Sequence, residues 1–333
     1  MPSKSFFLKI AINTGIGIFL ILVWLRFVNL SEILTTLSRV EIIKLLPLFL
    51  FMLASPIIRA LRLKVILSPI QKISFKDLIF LNGVATMLNF FIPIRGGEIA
   101  KGVYLHSNYK LPFGKSIVWI FLDRFIDFLV VFILASILLF IIPTSLSITF
   151  IGLISLIGLI SLILIFLMVY KVDFARKLLE FLSHLLIVRP ISLYFYRISN
   201  YFLDSFKILK RSPRALSVLF GLTILAYGAD SAIWYYTFLA IGSLQDFLKM
   251  YLAQILSALT YLVPAAPGYV GSAEASGLLI FSGVLGINPN LASAMTVLFH
   301  VVTIIFILVF GIVSVYFLKI DLKLIFNKIL NRT

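Results

Sequence analysis

The chain has 333 residues, 62% of them hydrophobic and 13% charged, with a mean hydropathy of +1.14 and a formal net charge of +16. Soluble domains do not have that balance, and it marks an integral membrane protein. The excess of base fits positive inner loops rather than nucleic acid, and the absence of cysteine excludes disulfides, thiolate metal sites and cysteine nucleophiles.

In chain order, the first apolar run covers 6–28. Lys4 precedes it and Lys9 lies near its start, as basic residues would in a secretory signal. The run has the length of a full span, however, and ends in Trp24, Arg26 and Asn29 without a small-residue cleavage site, so it reads as a transmembrane helix. Further spans are expected near 42–66, 116–142, 148–170, 214–242 and 291–318. Two other apolar segments, 76–93 and 246–263, run into Pro/Gly breaks that end in a carboxylate. The first break reads Asn89-Phe-Phe-Ile-Pro93-Ile-Arg95-Gly96-Gly97-Glu98. The second reads Tyr261-Leu-Val-Pro264-Ala-Ala-Pro267-Gly268-Tyr-Val-Gly271-Ser-Ala-Glu274.

If both broken segments crossed the bilayer, basic loops would fall on both sides. If both are re-entrant, Lys4, Lys9 and the basic residues of 59–76, 95–115, 171–214 and the stretch after 318 share the inner side. The expected fold is therefore an all-α polytopic membrane protein with six full crossings, two re-entrant broken-helix hairpins and both termini cytoplasmic. Non-helical backbone at membrane depth needs protein or a watery cavity to satisfy it, so each hairpin implies a cavity.

An internal repeat supports this topology. Ser74-x-x-Asp77 and Ser243-x-x-Asp246 both read as capping signals, and Glu98 to Arg124 and Glu274 to His300 are both separated by 26 positions. We expect a single membrane domain over 1–333, divided into units 1–142 and 146–320 of inverted topology, as in many secondary transporters. Interfacial helices are expected at 171–213. There Phe174, Leu178, Phe181, Leu182 and Leu185 recur at helical spacing among Lys171, Arg176 and Lys177, and the alternative is a solvated basic connector. This interval is too short to build a soluble domain. Ser212-Pro213 supplies an N-cap and an N1 proline for the next span.

Eight ionisable groups are expected at or near membrane depth: Arg95, Glu98, Asp123, Arg124, Asp127, Asp230, Glu274 and His300. Each costs about 2.5–3.5 kcal/mol at a helix centre on insertion scales, so such groups mark a pathway by default. The alternative is pairing that only fixes the fold, such as Arg95 with Asp123 or Arg124 with Glu98. A helix N-terminus opened by Gly96 and Gly97 beside a guanidinium makes a phosphate cradle. Gly268 and Gly271 permit the same close approach, and tight helix packing is the alternative for all four glycines. Asp123 and Asp127, one turn apart, read as charge support for Arg124. No nucleophile or metal triad accompanies them, and His106, His184 and His300 are too scattered for a zinc pattern. His300 reads as a hydrogen-bonded interior histidine that titrates only on the alternative. Arg59 and Arg62 read as snorkelling to headgroups, and Trp24, Trp119, Trp234, Tyr235 and Tyr236 as interface anchors.

The combination Asn89-x-x-x-Pro93-x-Arg95-x-Gly97-Glu98, Asp123-Arg124-x-x-Asp127 and Pro264-x-x-Pro267-Gly268-x-x-Gly271-x-x-Glu274 resembles the transmembrane region of lysylphosphatidylglycerol synthase and its free-standing relatives. The likeness covers nearly the whole chain. It implies a membrane region that flips a lipid between leaflets while a separate soluble domain charges the lipid with an amino acid, so aminoacyl transfer is not expected here. Two departures stand out. His300 occupies a place where the resemblance leads us to expect arginine, and Asp123 is one methylene shorter than the carboxylate expected beside Arg124. Some relatives accompany glycosyltransferases that act on polyprenyl lipids.

The resulting expectation is a plasma-membrane flippase or transporter, not an enzyme. It would move an aminoacyl phospholipid, a polyprenyl phosphate or a lipid-linked sugar, possessing no cofactor and working beside a separate lipid-modifying enzyme. Arg95 and Arg124 would hold the phosphate, while Glu98 and Glu274 would balance them or carry a proton, the coupling ion being open. The alternatives are the membrane subunit of a lipid-modifying transferase and a lipid-binding scaffold.

Overall fold

A computed structural model describes residues 4–92, 96–185, 213–260 and 266–321, with isolated positions among 196–204 and Ile325. Among the described residues the secondary structure is entirely helical. The helices are α1 (Lys4–Trp24), α2 (Leu30–Ser38), α3 (Leu46–Leu67), α4 (Phe75–Phe91), α5 (Gly96–Tyr109), α6 (Phe113–Ile141), α7 (Ile148–Tyr170), α8 (Val172–Leu185), α9 (Pro213–Ala240), α10 (Phe247–Thr260), α11 (Ser272–Gly277) and α12 (Pro289–Leu318). Five stretches among the described residues are long and apolar enough to cross a bilayer: Ile42–Leu67, Phe113–Ile141, Ile148–Met168, Arg214–Ala240 and Pro289–Leu318. In hydrocarbon a helix satisfies its own backbone, which is why these runs adopt no other structure. The run expected to cross first forms α1, 21 residues long. Leu153, Leu156, Leu159, Ile163 and Phe166 of α7 are exposed, the surface a lipid-facing helix presents.

Helix α3 packs along α9 at the centre of the bundle. Around that pair, α4 packs on α3 and α10 on α9; α5 packs on α6 and α11 on α12; α4 packs on α12 and α10 on α6. Small residues permit the closest crossings. A Cβ on Gly311 would lie 2.5 Å from Met87 Sδ, and one on Gly83 would lie 2.8 Å from the Phe310 ring, so the α4–α12 contact needs both glycines. Helix α3 carries Pro56 in its interior, and Asn82 Nδ2 of α4 donates to the Pro56 carbonyl at 3.3 Å.

The two broken helix pairs have their feet at opposite ends of the bundle. At the foot of the first pair, Tyr109 Oη accepts from Ser74 N at 3.1 Å, and Tyr104 and Tyr109 donate to Asp77 Oδ2 at 2.7 and 2.8 Å. Burial, with the Asp77 carboxylate beside it, pushes the Tyr109 phenol up. From this foot α6 runs about 43 Å at 1.5 Å per residue. At its far end Ser145 N donates to Val284 O at 3.0 Å, beside the foot of the second pair.

Several expectations change here. Ser74 makes no side-chain cap, and Asp77 serves as the tyrosine staple instead. At the other signal Asp246 is itself the cap, accepting from Lys249 N at 2.9 Å, so the two S-x-x-D signals do different things. Trp24, Trp119 and Trp234 are buried; Trp24 Nε1 donates to Ser293 Oγ at 3.0 Å, and Trp234 packs edge-on against Phe281 and Phe299. They are packing groups rather than an interfacial belt. Of the interfacial segment, α8 forms with Phe174, Leu178 and Phe181 exposed, and Ser212 lies outside the described residues. Helix α2 and a π-helical stretch at Leu278–Val284 had no counterpart in the sequence reading.

Candidate functional site

The first break brings α5 up against α4 with no room for a side chain. A Cβ on Gly97 would sit 2.1 Å from the Ala85 carbonyl oxygen, and Gly97 N donates to Asn89 Oδ1 at 2.8 Å. Asn89 thereby satisfies one of the amide donors that a helix start leaves open. One residue on, Glu98 faces α6. Its Oε1 accepts from Arg124 Nε at 3.2 Å, and Lys101 Nζ lies 3.5 Å from its Oε2. Arg95 and Pro264, both expected in the site, lie outside the described residues.

Asp123 and Asp127 point to a partner other than the one expected. Arg62 of α3 is 1% exposed, with Nε 2.8 Å from Asp123 Oδ1 as an ion pair and Nη1 on Asp127 Oδ1. Its Nη1 also reaches Thr223 Oγ1 of α9 at 3.1 Å, and Tyr227 Oη donates to Asp127 Oδ2 at 3.2 Å. Arg62 is therefore a central buried cation, not a snorkelling one. A guanidinium presents several donors in a planar fork, which allows it to serve two carboxylates and a hydroxyl together. Arg59, one turn earlier, pairs with Asp230 of α9 at 2.6 Å and lies over the Tyr227 ring at 5.4 Å. Arg124 touches this cluster only at its margin, 3.9 Å from Asp127 Oδ2.

Among the described residues, the cluster sets Arg59, Arg62, Lys101 and Arg124 against Glu98, Asp123, Asp127 and Asp230, a balance of charge. The exposure is uneven. The Arg124 side chain is 32% exposed and that of Glu98 20%, while Arg62 is sealed. Arg59 is 23% exposed, so the most accessible cation of the four is Arg124, beside the start of α5. Sequence reading missed Lys101 and discounted Arg62. The available signals were that Arg59 and Arg62 lie inside an apolar span rather than after it, and that Lys101 follows Glu98 by one turn.

The second break is built around α12. Pro267 opens a short 3-10 turn, Pro267–Tyr269, in which Gly268 has φ +71° and Tyr269 φ +57°; Gly271 follows with φ +80°. A Cβ on Gly271 would meet Gly17 O of α1 at 2.0 Å, so glycine is required there on both counts. Gly271 N donates to Glu274 Oε2 at 2.7 Å, which fixes the start of α11. Glu274 Oε1 lies 2.6 Å from His300 Nδ1, and His300 Nε2 lies 2.7 Å from Gly268 O. The two breaks meet. Phe90, at the end of α4, packs against the Tyr269 ring at 5.6 Å and the His300 ring at 6.3 Å.

Residues 7–311 match the family described as the lysylphosphatidylglycerol synthase TM region. The chain is also similar to a "UPF0104 membrane protein" of Archaeoglobus fulgidus, 30% identical over 123 residues. That stretch covers 37% of this chain and 37% of the relative's length. No solved structure matches the chain.

Proposed function

We propose, from the premise that the chain belongs to the family of the lysylphosphatidylglycerol synthase TM region, that it moves a phosphate-bearing lipid between the leaflets of the plasma membrane. One observation carries this reading. Two broken helix pairs with feet at opposite ends meet through Phe90, Tyr269 and His300, and each brings an ionisable pair to its break, Glu98 with Arg124 and Glu274 with His300. Paired broken helices meeting at mid-bundle are where secondary transporters place substrate.

On this reading both pairs are re-entrant, α1 and the five longer spans make six crossings, and both termini are cytoplasmic. The chain is then one domain of two inverted units, 1–142 and 146–320. Support comes from the packing, in which the contacts of α3 with α4, α5 with α6 and α3 with α6 recur as those of α9 with α10, α11 with α12 and α9 with α12. The phosphate is held by Arg124, with Arg95 as its expected companion, and Glu98 releases Arg124 as the anion arrives. The protein performs no chemistry on the lipid, which a separate enzyme modifies; an aminoacyl phospholipid, a polyprenyl phosphate and a lipid-linked sugar all offer the required phosphate.

The test is translocation in proteoliposomes carrying fluorophore-labelled phosphatidylglycerol or labelled polyprenyl phosphate, read by dithionite quenching. Wild type should move label at least tenfold faster than empty vesicles, and Arg124→Gln and Glu98→Gln should lose most of that rate. Folded wild type that binds either lipid and moves neither would overturn the reading in favour of a transferase subunit or scaffold.

A further inference from the structure

The pair Glu274 and His300 holds more acceptors than a neutral histidine and a carboxylate can serve. His300 Nε2 faces the Gly268 carbonyl at 2.7 Å, and a carbonyl only accepts, so that nitrogen carries hydrogen. His300 Nδ1 faces Glu274 Oε1 at 2.6 Å, and that contact needs a second hydrogen, on the ring or on the carboxyl. The geometry thus contains one proton beyond those of a neutral imidazole and a carboxylate. The remaining oxygen of Glu274 is committed to Gly271 N at 2.7 Å. His300 on α12 therefore clasps the tip at two points, through Gly268 directly and through Glu274 at the start of α11.

We infer that the Glu274–His300 pair is a proton-binding site, and that its occupancy decides whether the tip of the second broken helix stays latched to α12. When the proton leaves for water, the pair becomes a carboxylate and a neutral imidazole with one ring hydrogen. A hydrogen kept on Nε2 sets the Nδ1 lone pair against a carboxylate oxygen. A hydrogen on Nδ1 sets the Nε2 lone pair against the Gly268 carbonyl. Either way one contact turns repulsive and opens. The released segment is suited to movement: Gly268, Tyr269 and Gly271 all have positive φ, and the π-helical stretch Leu278–Val284 follows. The first pair is different, since its feet are tied together through Asp77, Tyr104 and Tyr109.

Among the described residues, the groups around the latch leave the proton to this pair. From α4 the neighbour is Phe90, from α1 it is Gly17, and Tyr269 is the one titratable side chain in the described part of the tip, 266–271. The ionisable groups of α9 described above are engaged elsewhere, Asp230 with Arg59 and Tyr227 with Asp127. The side chains of His300 and Glu274 are 10% and 12% exposed, so the proton has a way out. Where the family resemblance leads one to expect arginine, a charge that cannot be lost, this chain has a histidine that can lose it.

This inference deepens the lipid-transport reading and rests on it for its purpose, so the experiment reads the latch and the transport separately. The chain has three histidines, and comparison with His300→Gln assigns the His300 ring in the nitrogen-15 spectrum of histidine-labelled protein in nanodiscs. Across pH 5–9 the ring should titrate, and amide exchange over residues 266–277 should rise at least tenfold as it does so. His300→Gln should exchange fast at every pH and His300→Arg slowly at every pH. In proteoliposomes of phosphatidylcholine with labelled phosphatidylglycerol or polyprenyl phosphate, an imposed pH gradient should change wild-type translocation at least fivefold and leave His300→Arg unaffected. A ring that does not titrate, tip exchange indifferent to it, or lipid movement that is indifferent to the gradient and the same in His300→Arg would overturn the proposal. Tip exchange that tracks the ring while neither lipid moves would support the proton site and count against the lipid reading alone.

Discussion

Replacing Arg62 by methionine tests whether the buried charge cluster holds the bundle together. The substitution keeps most of the side-chain volume and removes the cation that faces Asp123 at 2.8 Å, Asp127 and the Thr223 hydroxyl at 3.1 Å. In soluble cores, removing one partner of a buried ion pair costs about 3–5 kcal/mol. Polar contacts within membrane proteins average about 0.6 kcal/mol and reach about 1.7. The stranded groups here are full charges in a sealed site, which favours the larger scale, but Asp127 retains Tyr227 and the edge of Arg124. Weighing these, we expect a loss of about 3 kcal/mol. At about 2.1 cal/mol/K of unfolding entropy per residue, a chain of 333 residues then melts about 4 °C lower. The assay is thermal unfolding in one detergent, with the Arg62→Met/Asp123→Asn double variant beside it. The double variant should recover at least half of the loss, because Asp123 loses its direct partner in the single variant. A single variant within about 0.5 kcal/mol of wild type, or no recovery in the double, would refute the argument that this charge is buried and paired.

Three further outcomes are expected. Gly97→Ala should abolish folding or cost at least about 3 kcal/mol, since overpacking against rigid backbone exceeds the ordinary penalty, whereas Gly221→Ala, with open space around its Cβ, should be neutral or stabilising by up to about 1 kcal/mol; thermal unfolding of both separates steric need from a general intolerance of alanine. Asp77→Asn should weaken the foot of the first pair by about 1.5–3 kcal/mol, the range for hydrogen bonds to a charged group, and raise amide exchange at the start of α4 and the end of α5 without affecting 266–277. Trp24→Phe loses the bond to Ser293 and should cost about 1–3 kcal/mol, read as a lower melting temperature with translocation intact.

The long elements were legible because hydrocarbon imposes one solution on a long apolar run. Helices α3, α6, α7, α9 and α12 begin and end within a few residues of the spans read from hydropathy. The breaks were legible through proline, glycine and the carboxylate after them, and the equal spacing from Glu98 to Arg124 and from Glu274 to His300 marked the residues that pair, although the sequence reading offered Glu98 with Arg124 only as an alternative and did not pair Glu274 with His300. What stayed hidden depends on the third dimension. Whether Arg62 points to headgroups or to the interior depends on which face of α3 meets α6 and α9, and apolar composition around the whole helix gives no such face. The roles of Asp77 and Asp246 diverged for the same reason: two tyrosines at the end of α5 face Asp77, and nothing in the S-x-x-D pattern announces them.

The seam between α3 and α9 limits how this molecule can move. Arg59 with Asp230, and Arg62 with Thr223, tie α3 to α9 near the middle of the bundle. Pulling α3 and α9 apart along that line would strand buried charges, which is a steep barrier, whereas turning about it leaves both contacts made. On the transport reading proposed above, the seam serves as an axle: opening occurs at the rim, by tilting the broken pairs, and lipid passes from one face to the other without a through-pore forming.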